Sequence, residues 1–132
     1  MKNQFLKALS FFAFPIGVFF FSLFIDYAFN AYVLFPWVDI PMHLLGGVSV
    51  GYMSVLFLRF FREENLLIIK NKFIFVLIVV FSVSFIAILW EFWEFLTDYF
   101  FQVSSQPGLE DTMLDFLMGM LGGFFAGIFS KI

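Results

Sequence analysis

Charged and polar positions cut the chain into four apolar runs. Ala8 to Ile25 lies uncharged between Lys7 and Asp26, and Ile40 to Leu58 runs from Asp39 to the Arg59–Arg62 group. Phe73 to Leu89 follows Lys72 and closes on Trp90-Glu91-Phe92-Trp93-Glu94, and Phe116 to Ser130 stands between Asp115 and Lys131. A helix rises about 1.5 Å per residue, so roughly 20 apolar residues cross a hydrocarbon core of about 30 Å. The pattern predicts an all-α integral membrane protein: a single domain over 1–132, with four transmembrane helices at about 5–25, 40–61, 73–97 and 111–130. The fourth run has only 15 residues, so its helix must begin near Asp111. That draws Asp115 inside the membrane boundary, where a carboxylate without a partner is costly.

Local signals refine these elements. Pro15 and Gly17 predict a kink in the first helix, which neighbouring helices accommodate in a bilayer. Ala28-Phe29-Asn30 is a poor cleavage site and the apolar run is long, so the first run reads as a membrane helix rather than a signal peptide. Tyr27 to Val38, with Tyr32, Phe35 and Trp37, reads as an interfacial aromatic segment. Asp39 with Pro41 suits a helix start, Leu66 to Ile69 is expected along the membrane surface, and Gln106-Pro107-Gly108 marks a turn.

Composition agrees with the pattern. Hydrophobic residues make up 63% of the chain and the mean hydropathy is +1.02, well above soluble domains. The 25 phenylalanines read as compositional bias, and the absence of cysteine excludes disulfides and thiolate metal sites. The net charge of −3 matters less than how the charges are sorted. A four-helix path puts Lys2, Lys7, Arg59, Arg62, Lys70, Lys72 and Lys131 on one side. By the positive-inside rule that side is cytoplasmic, so both termini face the cytoplasm in a multi-pass protein of the cytoplasmic (inner) membrane. Eight of the ten acids fall on the extracytoplasmic side, and Glu63 and Glu64 stay with the bases.

The candidate chemistry lies among those acids. Glu91, Glu94 and Asp98, at i, i+3 and i+7, share one helix face. Asp39, His43, Gly47 and Gly51 recur every four residues, as do Asp111, Asp115, Gly119, Gly123 and Gly127. Each series forms a stripe, polar at its outer end and glycine below, and small residues so spaced let membrane helices approach closely. If the stripes face each other, His43 meets Asp115. The matched stripes also suggest a parallel repeat of two helical hairpins. Plainer readings stay open: Asp39 and Asp111 as N-caps, Asp26, Asp98 and Glu110 as solvated helix ends, His43 as a core histidine, Trp90 and Trp93 as belt aromatics.

Several carboxylates without a nearby Lys or Arg must share protons or bind a cation. Asp39, His43, Glu91, Glu94, Asp98, Asp111 and Asp115 are the candidate ligands of a divalent metal, with Mg²⁺, Mn²⁺, Ca²⁺, Zn²⁺ and Fe²⁺ all compatible. His43, Glu94 and Asp115 are the candidate catalytic residues, a histidine or unligated carboxylate serving as general base.

Asp39-Ile-Pro-Met-His43-Leu-Leu-Gly-Gly, Trp90-Glu91-Phe-Trp-Glu94 and Glu110-Asp111-Thr112-Met-Leu-Asp115 leading into Gly119 resemble the VanZ-like and YjdF-like small multi-pass membrane proteins. The resemblance covers roughly Asp39 to Gly123. It implies a compact helical membrane domain with polar residues gathered at one membrane face, and action on lipid head groups. His43, Glu91, Glu94, Asp111 and Asp115 carry over by position. The Arg seen near the last acidic motif of many VanZ-like proteins is missing here, which weakens a phosphate clamp and favours a metal.

Two classes of function follow, with a third behind them. The first is a metal-dependent hydrolase or transferase acting on a membrane lipid or lipid-linked head group at the extracytoplasmic face, with no role for nucleic acid. The second is a cation-binding or transport protein, and the third a non-catalytic membrane partner subunit. Below the acids, Ser49, Ser54, Ser82, Ser84 and Tyr52 make a poor ion path, which favours the first.

Overall fold

The computed structural model describes residues 2–103 and 105–132. Helix α1 (Lys2–Ser10) and helix α2 (Ala13–Phe29) together make the first span, and the short α3 (Ala31–Leu34) follows. A 3₁₀ turn, Pro36–Val38, leads directly into α4 (Asp39–Glu63), and α5 (Lys72–Phe101) and α6 (Leu109–Phe129) complete the chain. All the regular elements among the described residues are helical, and four helical stretches are long and apolar enough to cross a membrane.

The helix ends have local causes. Proline lacks an N–H and its ring crowds the carbonyl four residues back, so Pro15 disrupts the helix at Phe11. The break between α1 and α2 falls there, with Phe11 and Phe12 donating to the Ala8 and Leu9 carbonyls in tighter three-residue turns. The kink expected from Pro15 is thus a true interruption. The first span also runs past Asp26 to Phe29, ending where Asn30 turns left-handed and donates to the Asp26 carbonyl. Asn71 caps α5, its side chain accepting from the Ile74 amide at 3.2 Å.

The N-cap reading left open for Asp39 and Asp111 is not what forms. Val38 and Gly108 hold the cap positions, which moves Asp39 to the first helical residue of α4 and Asp111 into the first turn of α6. The 3₁₀ turn before α4 already continues in helical geometry, so Asp39 has no free amides to cap and its carboxylate faces His43 instead.

Helix α6 packs chiefly on α4 and next on α5, while α2 is peripheral and leans on α4. The close α4–α6 approach rests on glycine. A Cβ at Gly47 would collide with the Gly119 backbone, its Cα 2.8 Å away, and one at Gly122 would strike the α4 backbone at Leu44, Gly47 and Val48. A Cβ at Gly51 would meet Ala126 at 2.7 Å and Gly123 at 3.0 Å. The glycine stripes therefore face each other, α4 and α6 running parallel with Gly47 opposite Gly119 and Gly51 opposite Gly123. Gly122, absent from the four-residue series, makes one of the tightest of these contacts. Gly123 and Gly127 also turn toward α5, meeting Val83 and the Val76–Val79 turn.

The two ends of the bundle differ in charge. At one end Lys7 pairs with Glu63 at 2.6 Å, Gln4 donates to Glu64, and Arg59 donates to the Lys131 carbonyl. Lys72 donates to the carbonyls of Gly127 and Ser130. A small core of Val55, Phe75 and Val79 sits beneath these groups, and the segment between α4 and α5 turns Leu67 and Ile69 inward while Leu66 and Ile68 remain exposed. The acids collect at the opposite end.

Substituting Gly122 with alanine should destabilise the detergent-solubilised protein by about 1–3 kcal/mol, because the added methyl meets backbone that cannot step aside. Gly46→Ala, with nothing within 4 Å of the new methyl, is the control. Equal melting temperatures for the two variants would contradict this packing.

Candidate metal centre

The polar ends of the two glycine stripes meet one turn above Gly47 and Gly119. His43 Nε2 lies 3.3 Å from Asp39 Oδ1 on its own helix and 3.6 Å from Asp115 Oδ1 on α6. One ligand atom from each of the three residues falls within 4.8 Å of the other two. Asp115 is 2% exposed, and its contact with the imidazole is longer than a hydrogen bond. Asp39 and His43 are partly covered.

The donor set suits a divalent ion. Around an ion with bonds of about 2.0–2.2 Å, neighbouring ligand atoms stand about 3.0–3.6 Å apart at ordinary coordination angles. The two Nε2–carboxylate separations fall in that range. One imidazole nitrogen with two carboxylate oxygens is compatible with Zn²⁺ or Mn²⁺ and, less typically, Mg²⁺ or Ca²⁺, and three protein ligands leave positions for water or substrate.

The remaining acids surround this group without joining it. Glu91, 6% exposed on α5, accepts a hydrogen bond from Gln106 Nε2 at 2.9 Å and lies within electrostatic reach of Asp115. Glu94 Oε1 accepts from the Trp90 indole N–H at 2.8 Å, with His43, Asp39 and Glu91 close enough for their charges to act on it. Asp111 stands within similar reach of Asp39 and His43.

Asp98, expected among the ligands, has another task. Its two oxygens accept the backbone amides of Ser105 and Gln106, at 2.8 and 2.9 Å, and so fold the segment after α5 back over the acidic end. Asp26 likewise accepts from the Tyr32 amide, at 3.4 Å, and Glu110 is exposed.

Two neighbours of the site escaped the sequence reading. Gln106 appeared there only as a turn residue, yet it is fixed by Asp98 through its amide and reaches Glu91 with its side chain. Tyr32 appeared as an interfacial aromatic, but its hydroxyl bonds to Ser22 and it lies within electrostatic reach of Asp39 and Glu94. Burial pushes the Tyr32 phenol above its ordinary value, and the surrounding carboxylates act in the same direction. No local pattern marks either residue, because both arrive through chain reversals outside the long helices.

Residues 4–132 match the family described as "Predicted membrane protein (DUF2238)". The chain belongs to that family. The match takes in all four candidate spans and the three residues of the Asp39–His43–Asp115 group. Membership establishes a small membrane-protein family without extending to the VanZ-like or YjdF-like name. No curated protein and no solved structure matches the chain.

If Asp98 is the anchor of the returning segment, Asp98→Ala should speed hydrogen exchange at the Ser105 and Gln106 amides by about one order of magnitude, equivalent to losing roughly 1–2 kcal/mol of charge-assisted hydrogen bonding. Unchanged exchange at both amides would show that the segment is held by something else.

Proposed function

We propose that this protein is a membrane-embedded enzyme that binds a divalent cation at Asp39, His43 and Asp115 and hydrolyses or transfers the head group of a membrane lipid or lipid-linked substrate. The observation that carries this reading is the convergence of His43 Nε2 and two carboxylates from two helices, one of them buried. A divalent ion held there would offset their charge, polarise a phosphoryl or carbonyl oxygen and activate water. Asp39 and Asp115 would supply the charge and His43 the neutral nitrogen that orient it. Of the three residues marked for catalysis by the sequence, His43 and Asp115 become ligands, while Glu94 stands beside the triad, free to meet substrate. The resemblance to VanZ-like and YjdF-like proteins adds support for head-group chemistry.

Transport is the weaker reading because, among the described residues, the four serines below the site are engaged with their own helices and Tyr52 is exposed on the outside of the bundle beside Phe14. Ser49, Ser54, Ser82 and Ser84 each donate to a carbonyl of their own helix three or four residues earlier. Directly beneath His43 and Asp115, the α4 and α6 backbones are in glycine contact. A site that ends there suits a substrate arriving from the membrane boundary.

The gathering of bases at the far end supports the cytoplasmic placement of both termini, with the site facing outward from the inner membrane. Because the chain has no cysteine, single-cysteine variants give a clean test. Lys72 is engaged with the end of α6, so the exposed Lys70 is the better probe of the basic end. A membrane-impermeant maleimide added to intact cells should label Val103→Cys and spare Lys70→Cys; the opposite pattern would invert the orientation.

For the metal, elemental mass spectrometry of purified protein offered Mn²⁺, Zn²⁺, Mg²⁺ and Ca²⁺ should find about one bound ion per chain. Asp115→Asn should lose it while keeping the wild-type helix content. Wild type that retains none of the four would remove the metal from this reading.

A further inference from the structure

Helices α5 and α6 leave a groove open along their outer flank. Phe73, Leu77 and Val80 form one wall and Leu117, Leu121 and Phe124 the other, around a space of about 320 Å³ lined only by apolar side chains. Its shape follows from the glycines. Gly123 and Gly127 let the α6 backbone come down on Val83 and the Val76–Val79 turn, so the larger residues on the outer side of both helices stand apart as walls. The space is about twice the ~150 Å³ in which a dry apolar cavity takes up a benzene ring. Both walls belong to membrane-spanning stretches, so the groove opens onto hydrocarbon. One end of it lies at the basic end of the bundle. Phe73 follows Lys72, whose ammonium holds the Gly127 and Ser130 carbonyls where the end of α6 meets the start of α5. Lys70 and Lys131 stand within two residues of that contact, both exposed, and neither forms an ion pair among the described residues. The acids of this end, Glu63 and Glu64, are engaged by Lys7 and Gln4 of the first span. The mouth of the groove is therefore cationic and its bed apolar.

We infer that the groove between α5 and α6 binds an acyl chain of one anionic phospholipid, whose phosphate pairs with Lys70 and Lys131. Lipid tails are as apolar as leucine, so an acyl chain in the groove is chosen by its fit and not by its head group. Charge at the mouth makes the second choice. Each lysine beside an anionic head group adds about fivefold in affinity. A zwitterionic lipid brings its own ammonium to the same place and gains little. A second copy of this chain, inserted in the same orientation, would set lysine against lysine there. The inference is independent of the metal and of head-group chemistry. At 100° of turn per residue, Leu117 and Phe124 lie roughly opposite Asp115 around α6, so the groove and the acidic group occupy different flanks of that helix.

The test is native mass spectrometry of the full-length protein in detergent, titrated with palmitoyl-oleoyl phosphatidylglycerol or with phosphatidylcholine of the same acyl chains. Wild type should retain one phosphatidylglycerol per chain, about tenfold more tightly than phosphatidylcholine. Replacing both lysines, Lys70→Gln with Lys131→Gln, should bring the two lipids within about twofold of each other and leave phosphatidylcholine binding unchanged. Val80→Trp, which places an indole in the groove, should weaken both lipids severalfold. Phe81→Trp, at an exposed position of α5 outside the groove, should weaken neither. Equal retention of the two lipids by wild type, a preference that survives loss of both lysines, or binding indifferent to Val80→Trp would overturn the inference. So would a two-chain species abolished by Val80→Trp, which would assign the groove to a second copy. The wild-type comparison decides even if a variant misfolds.

Discussion

The contact on which the structure depends is that between the backbones of α4 and α6. Within a bilayer, apolar side chains gain little by leaving lipid for protein, so close van der Waals packing has to hold helices together. Here it is achieved by removing side chains. Gly47 sits against Gly119, Gly51 against Gly123, and Gly122 against the Leu44–Val48 turn. The same contact sets the chemistry. With the two helices parallel and in register at their glycines, the residues one turn above must be neighbours, and those are His43 and Asp115. A buried carboxylate is thus held against an imidazole by packing lower in the membrane.

Much of this arrangement was legible in the chain. Four apolar runs are enough to define four spans, and a charge distribution that leaves the bases at one end is visible without coordinates. The meeting of His43 with Asp115 was also readable, because two stripes with the same four-residue period can be superimposed before either helix is seen. Their period carried real spatial information, since in a helix it maps onto a face. Gly122 was missed for a related reason: a helix that serves two neighbours needs small residues on adjacent faces, and a single period describes only one of them.

What stayed hidden depends on irregular backbone. Asp98 shares a helical face with Glu91 and Glu94, so periodicity grouped all three as ligands. The structure separates them by what the chain does afterwards, as the segment beyond Gln102 turns back and its amides take both Asp98 oxygens. Tyr32 and Gln106 come to the acidic end in the same way, through short connections whose path no repeat predicts. The caps left open at Asp39 and Asp111 fail to form for a similar reason. Aspartate opening an apolar run usually caps it, but at Asp39 the preceding 3₁₀ turn already feeds helical geometry into α4 and the carboxylate is released for other contacts.

The lysine that opens α5 restrains α6 from the end of the bundle opposite the acidic group. Lys72 grips the last carbonyls of α6, while Asp115 lies near that helix's beginning, about 20 Å away along its axis. The glycine contacts set the register of α6 on α4, and the lysine adds a second hold at the far end of the same helix. Moored at its tail, α6 behaves as a plumb line: an axial slip that carried Asp115 away from His43 would first have to pull the carbonyls out of the lysine's grasp.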